Sequence, residues 1–225
     1  MEFEGGENPN RAEDYLGADA IVITHGHFDH IGSLPDILSL EIVPVFCTQT
    51  PAKSISDLTR NLPCHNAVVH HTHIVSLGDT FQVGDMEISI HPGKHIRFDL
   101  PLILKTFLST EMRVYRKKLR TIAKLNSQCP ENDETVLIEV KADDKRIQII
   151  GSLGLREGFQ YNKGADVLLM AYQGNSNLLK TVNPVLRTLQ PKTLIPTHFD
   201  NAFPPISSTV DTTSLQRNNN REDNT

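Results

Sequence analysis

The chain lacks Trp, lacks any long apolar run and has only three cysteines in 225 residues. The longest apolar stretch, Val167 to Tyr172, is the length of a strand and falls far short of the ~18 residues of a membrane-spanning helix. No transmembrane segment is expected. Cys47, Cys64 and Cys129 are odd in number and show no CxxC spacing, which excludes a disulfide framework and a Cys-rich zinc knuckle and fits reduced thiols. An excess of positive charge is also missing. A net charge of -5 and a pI near 6.0 give no long-range attraction to phosphate backbones, so general nucleic-acid binding is not expected. The acidic start MEFEGGENPNRAED has neither the basic and apolar regions of a signal peptide nor an Arg-rich transit pattern, and a cytoplasmic location is the expectation.

Hydrophobic residues at 38%, 22% charged residues and a mean hydropathy of -0.29 describe a globular chain able to fill a core. Its length suits a single layered α/β unit. Ala18 to Thr24 is a β-branched run that reads as a strand, followed by the loop HGHFDH and a short helix over Ile31 to Leu40. Val43 to Thr48 reads as a second strand, and Thr50-Pro51 opens a helix towards Leu62. From His70 to His91, Gly78-Asp79 and Gly84-Asp85 punctuate short alternating strands, as in a meander.

Leu102 to Leu125 carries the longest helical periodicity, with Arg113, Arg116, Lys117, Lys118, Arg120 and Lys124 on its polar face. It reads as an amphipathic helix with a solvated basic face, or as an inserted lid whose cations meet an anionic substrate or membrane surface. TVLIEV and RIQIIGS form a predicted hairpin with Asp143-Asp144 at its tip. ADVLLMAY reads as a buried strand, Asn177 to Leu189 as a helix containing Pro184, and Thr193 to Pro196 as a strand ending at Thr197-His198-Phe199-Asp200. Residues 206–225 lose apolar content and read as a flexible tail, and residues 1–17 as a short lead-in.

Ten histidines are the compositional outlier, and the informative cluster is His25-Gly26-His27-Phe28-Asp29-His30. By composition alone an H-x-H-x-D-H pattern is expected in about one chain in a thousand of this make-up. Alternate residues leaving a strand project to one side, so His25 and His27 can grip one metal while Asp29 and His30 face an adjacent position. Imidazole with carboxylate suits Zn²⁺ first, with Mn or Fe as alternatives. His70, His71 and His73 look like a metal tract but read as solvated partners on a strand, and they are left out of the site.

The stretch Thr24 to His30 resembles the THxHxDH signature of the metallo-β-lactamase fold superfamily. The resemblance spans residues 18–205, with 102–125 as a helical insertion, and is closest to the branch of metal-dependent hydrolases related to ascorbate-6-phosphate lactonase. It implies an α/β fold, an αββα sandwich of two mixed β-sheets with helices on the outer faces. The metal centre lies at the sheet edge. It further implies that His25, His27 and His95 hold a first metal, with His95 chosen over His91 in the HPGKH turn. Asp29, His30 and His198 hold a second, and Asp200 could orient His198. Two departures stand out. Ser152 occupies the place where the family supplies a bridging Asp, which leaves one or two ions open. Only 23 residues precede Thr24, so part of the N-terminal sheet is expected to be missing, leaving a strand edge open to self-association.

These readings lead to a metal-dependent hydrolase in which a Zn-activated water attacks an ester, lactone, amide or phosphoester, with Asp29 as the catalytic base when no second ion occupies it. The partner is a small-molecule substrate, anionic if the cations of the inserted helix face it. The runner-up is a catalytically weak metal-binding relative that binds a ligand or partner, and a third reading is an iron oxidoreductase on the same fold.

Overall fold

A computed structural model describes residues 10–96, 100, 116–199, 210–213 and 215. Three strands, β1 (Ile21–Val22), β2 (Val45–Cys47) and β3 (Thr72–Ile74), form one sheet in that order, and every pairing is parallel. Parallel neighbours need crossovers. These are supplied by α1 (Phe28–Ile31) and α2 (Leu34–Leu40) after β1, and by α3 (Gln49–Thr59) and α4 (His65–His70) after β2. Helices carry every connection among the described strands of the first sheet, which pair in parallel, while the second sheet is mixed. Within the described residues β1 lies at its edge.

The second sheet is mixed and has the order β4 (Thr80–Val83), β5 (Met86–Pro92), β6 (Val136–Ala142), β7 (Lys145–Ile150), β8 (Val167–Ala171), β9 (Thr193–Thr197). Its first four strands are antiparallel and β7, β8 and β9 run parallel. The predicted hairpin is β6–β7, with Lys141 opposite Arg146 and Asp143 in the turn at a φ of 50°.

Strand alternation explains the layers. Val136, Ile138 and Ile90 point into the sandwich, where they meet Val22 and Phe46 of the first sheet. Leu137, Ile150, Leu168 and Met170 point the other way, under helix α6 (Leu178–Leu189) with its Val182, Val185 and Leu189. A third cluster, around Ile31, Leu38, Val45 and Ile55, packs the outer helices on the first sheet. The result is helices, sheet, sheet, helix. The two sheets are tied at one point near the site, where the Val136 N–H donates to the Thr24 carbonyl at 2.9 Å.

Of the expected insertion, residues 102–115 lie outside the described ones, as does Asp200. Helix α5 (Arg116–Gln128) continues past the predicted end, and its Leu125 is buried together with Phe28 and Ile31. This part of the segment is a core element, while Arg120 and Lys124 are exposed. Two described residues of the expected tail touch the second sheet's side of the molecule. Leu215 is buried against the α6 core, and the Val210 N–H donates to the Phe199 carbonyl at 2.7 Å. These are isolated apolar residues in a polar stretch, and their burial comes from a distant surface. His70, read with His71 and His73 as a partner on a strand, instead ends helix α4, and His73 stacks on Phe46.

Candidate metal centre

Beyond β1 the chain bends at Thr24 and reaches His27 in an extended conformation, and the His27 carbonyl then accepts the His30 and Ile31 N–H groups to start α1. Burial of Phe28 and Ile31 fixes the orientation of this single turn. It carries Asp29 and His30 with it. Gly26 is required by close approach, because a Cβ there would lie 2.6 Å from the Pro130 carbonyl oxygen.

His95 and His198 arrive from the second sheet. In β5, His91 is in register with Leu137, so strand parity sends its ring to the α6 side of the sheet, beside Phe159. His95 lies beyond the strand and is free of that constraint. Its ring is centred 5.0 Å from that of His25 and 4.5 Å from that of His27. His198 follows β9 with a φ of 58°, a left-handed conformation uncommon for a residue with a Cβ.

Two groups of three donors result. One ligand atom from each of His25, His27 and His95 lies within 4.8 Å of the others, and the same holds for Asp29, His30 and His198. In the second group the two Nε2 atoms of His30 and His198 are 3.2 Å apart, and Asp29 Oδ2 is 3.7 Å from His30 Nε2. Every residue of the predicted ligand set therefore falls in one group or the other.

The opposite ring nitrogens are backed by oxygen. Nδ1 of His25 and of His30 lie 3.2 and 3.4 Å from Thr24 Oγ1, Nδ1 of His95 is 2.8 Å from the Ile96 carbonyl, and Nδ1 of His198 is 3.2 Å from Thr197 Oγ1. An oxygen that accepts from Nδ1–H leaves Nε2 as a bare lone pair. Four of the five imidazoles have an oxygen placed to accept from that tautomer.

Electrostatics favour the same state. Burial, followed by the neighbouring imidazoles, drives the His25 pKa far below its ordinary value, so the ring is neutral at physiological pH. Burial pulls His30 down to about 4 against the opposing pull of Asp29. His27 is also lowered, by burial and by His95, with Asp29 and Glu131 opposing. Neutral imidazoles offer lone pairs without first losing a proton.

Sequence reasoning passed over Glu131. Burial opposes its ionisation, but the Thr135 hydroxyl and the N–H groups of Asp133 and Thr135 outweigh it and hold the carboxyl below its ordinary value. The charge acts on both His27 and His95. The turn-forming run Pro130 to Asp133 signalled a loop, and nothing local pointed to its neighbours. Ser152 is buried, and its Oγ accepts the Ile96 N–H at 3.0 Å, next to His95.

Residues 4–101 match the model of the β-lactamase superfamily domain. Among solved structures, Igni18, a metallo hydrolase from the archaeon Ignicoccus hospitalis, is 20% identical with a TM-score of 0.60, covering 95% of this chain and 77% of its own. The chain has the metallo-β-lactamase fold. Zn²⁺-bound PqqB from Methylobacterium extorquens shares this fold at 18% identity and a TM-score of 0.54, over 90% of this chain and 68% of its own. So does CmlA, a diiron β-hydroxylase from Streptomyces venezuelae, at 10% identity and a TM-score of 0.53, over 88% of this chain and 39% of its own. No curated protein matches. Metallo-β-lactamase-fold proteins thus include both zinc-bound and diiron members, and the paired donor groups of this chain are able to hold metal. Among the described residues no helix is long and apolar enough to cross a membrane.

Proposed function

We propose that the chain is a metal-dependent hydrolase, with His25, His27 and His95 holding one zinc ion and Asp29, His30 and His198 a second that binds more weakly for want of a bridging carboxylate. The observation that carries this reading is the convergence of two three-donor groups in which Nδ1 of four imidazoles meets an oxygen and Nε2 is left for a ligand. Imidazoles and one carboxylate, with no thiolate among them, suit zinc, with manganese or iron as alternatives. When bound, such an ion polarises a substrate carbonyl or phosphoryl oxygen and acidifies water.

The chain's own residues supply the rest. Buried His25 and part-buried His27 and His95 supply the three imidazoles of the first group. Where no second ion is bound, Asp29, a third exposed at its side chain, is free to orient the attacking water and take its proton as general base. Glu131 contributes a fixed negative charge beside the first group that favours cation binding. The substrates that fit are small esters, lactones, amides or phosphoesters, the lactonase-related branch being the starting point. The catalytically weak alternative is favoured by Ser152, a neutral hydroxyl already engaged by the Ile96 N–H where the family pattern supplies a carboxylate.

The test combines metal analysis of protein purified without added metal with a zinc-supplemented screen of lactone, thioester, phosphodiester and β-lactam panels. His27→Ala is the control. Turnover that depends on zinc and is lost in His27→Ala supports the proposal, whereas turnover that survives the substitution removes the assigned site. Tight metal without turnover on any panel favours the binding alternative.

A further inference from the structure

We infer that Thr24 is a shared positioning residue, whose single hydroxyl orients one imidazole of each donor group and thereby couples the two metal positions. The inference rests on the metal-binding reading above and extends it to a residue outside both donor sets.

Thr24 Oγ1 lies 3.2 Å from His25 Nδ1, in the first group, and 3.4 Å from His30 Nδ1, in the second. The two rings are centred 3.9 Å apart. A hydroxyl oxygen has two lone pairs, so it can accept both Nδ1–H groups at once and leave both Nε2 atoms for metal. The residue is 8% exposed, which keeps water from competing for those bonds.

The surroundings hold this hydroxyl in place. The Thr24 carbonyl accepts the Val136 N–H, which ties the residue to the start of β6. Its β-branched side chain has few χ1 choices. Opposite it stands Gly151, where an added Cβ would lie 2.1 Å from Thr24 Oγ1 and 2.7 Å from its Cβ. The missing side chain at 151 is the space that the threonine fills. His95 and His198, in contrast, each have an acceptor of their own in the Ile96 carbonyl and Thr197 Oγ1. Ordering His25 in the first group therefore orders the oxygen on which His30 depends, and the converse holds.

The experiment measures zinc binding by competition with a chromophoric chelator, for the unsubstituted protein, Thr24→Val and Thr24→Ser. Valine keeps the shape and removes the hydroxyl, while serine keeps the hydroxyl. Thr24→Val is expected to weaken zinc binding at both positions together, each by ~10- to 100-fold, and Thr24→Ser to restore most of it. Loss confined to one position, or affinities equal to those of the unsubstituted protein, overturns the inference. A second measurement needs no variant. In the zinc-loaded protein, NMR should show slowly exchanging Nδ1–H protons on both His25 and His30, and fast exchange at either ring refutes the shared bond. If the unsubstituted protein binds no zinc, the metal reading itself fails, an outcome distinct from a Thr24→Val variant that binds as tightly as the parent.

Discussion

Acidification should unfold the metal-free protein well before its carboxylates begin to titrate. An imidazole in the unfolded chain takes up its proton near 6.5, while folded His30 does so only at about 4. Between those values the unfolded chain binds more protons, so stability is full above pH 6.5 and drains as the pH falls towards 4. For His30 the loss amounts to on the order of 3 kcal/mol, a large share of the ~5–15 kcal/mol of a typical domain. His25, His27 and His91 are lowered mainly by burial and act in the same direction. The folded-state pKa values of Glu131 and Glu134 lie below 4.5, so their contributions are lost only under that value, and the window from 6.5 to 4.5 belongs to histidine. Urea titrations followed by circular dichroism at pH 7.5, 6.5, 5.5 and 4.5, with a chelator present, measure the effect. The expected slope is at least ~1.4 kcal/mol per pH unit, reduced by about one proton's worth in His30→Gln. Stability that is flat from pH 7 to 5 would refute the assignment of buried neutral imidazoles.

Ser152→Ala leaves the part-buried Ile96 N–H without its acceptor and should cost about 1 kcal/mol in a denaturation experiment. Ser152→Asp should raise zinc content towards two per chain in elemental analysis, and an unchanged stoichiometry would count against Ser152 as the bridging position. Gly26→Ala forces a Cβ to within 2.6 Å of the Pro130 carbonyl oxygen, so the loop from Pro130 or the HGH turn must shift. Zinc affinity in a chelator competition should fall at least ~10-fold, and parental affinity would show that the turn yields without disturbing His25 and His27.

Much of the site was legible because its chemistry is local. Six residues, His25 to His30, hold four of the six donors, and the alternation of β5 explains why His95 rather than His91 joins them. The β6–β7 hairpin, β8 and α6 carry strong period-two or helical patterns and fall close to their expected bounds. What stayed hidden depends on contacts between distant segments. Thr24 is part of the signature, yet its bond to His30 requires the turn of α1, and the hydroxyl of Ser152 finds Ile96 56 residues away. Helix α4 has weak helix formers and only Val68 buried, so its sequence resembles strand as much as helix. The burial of Leu215 follows from the α6 surface against which it packs.

The order of the donors along the chain has a consequence for biosynthesis. The first group is complete at His95, whereas the second waits for His198 at the end of β9, 168 residues after His30. Translation proceeds from the N-terminus at ~5–20 residues per second, so the roughly 100 residues between His95 and His198 take about 5 to 20 s to appear. Throughout that interval the nascent chain carries a finished set of three imidazoles and an unfinished set, still without β6 to β9 to close the sandwich over them. An ion captured then would meet the first group alone, and the final strand of the second sheet would deliver the last donor to a centre already half loaded.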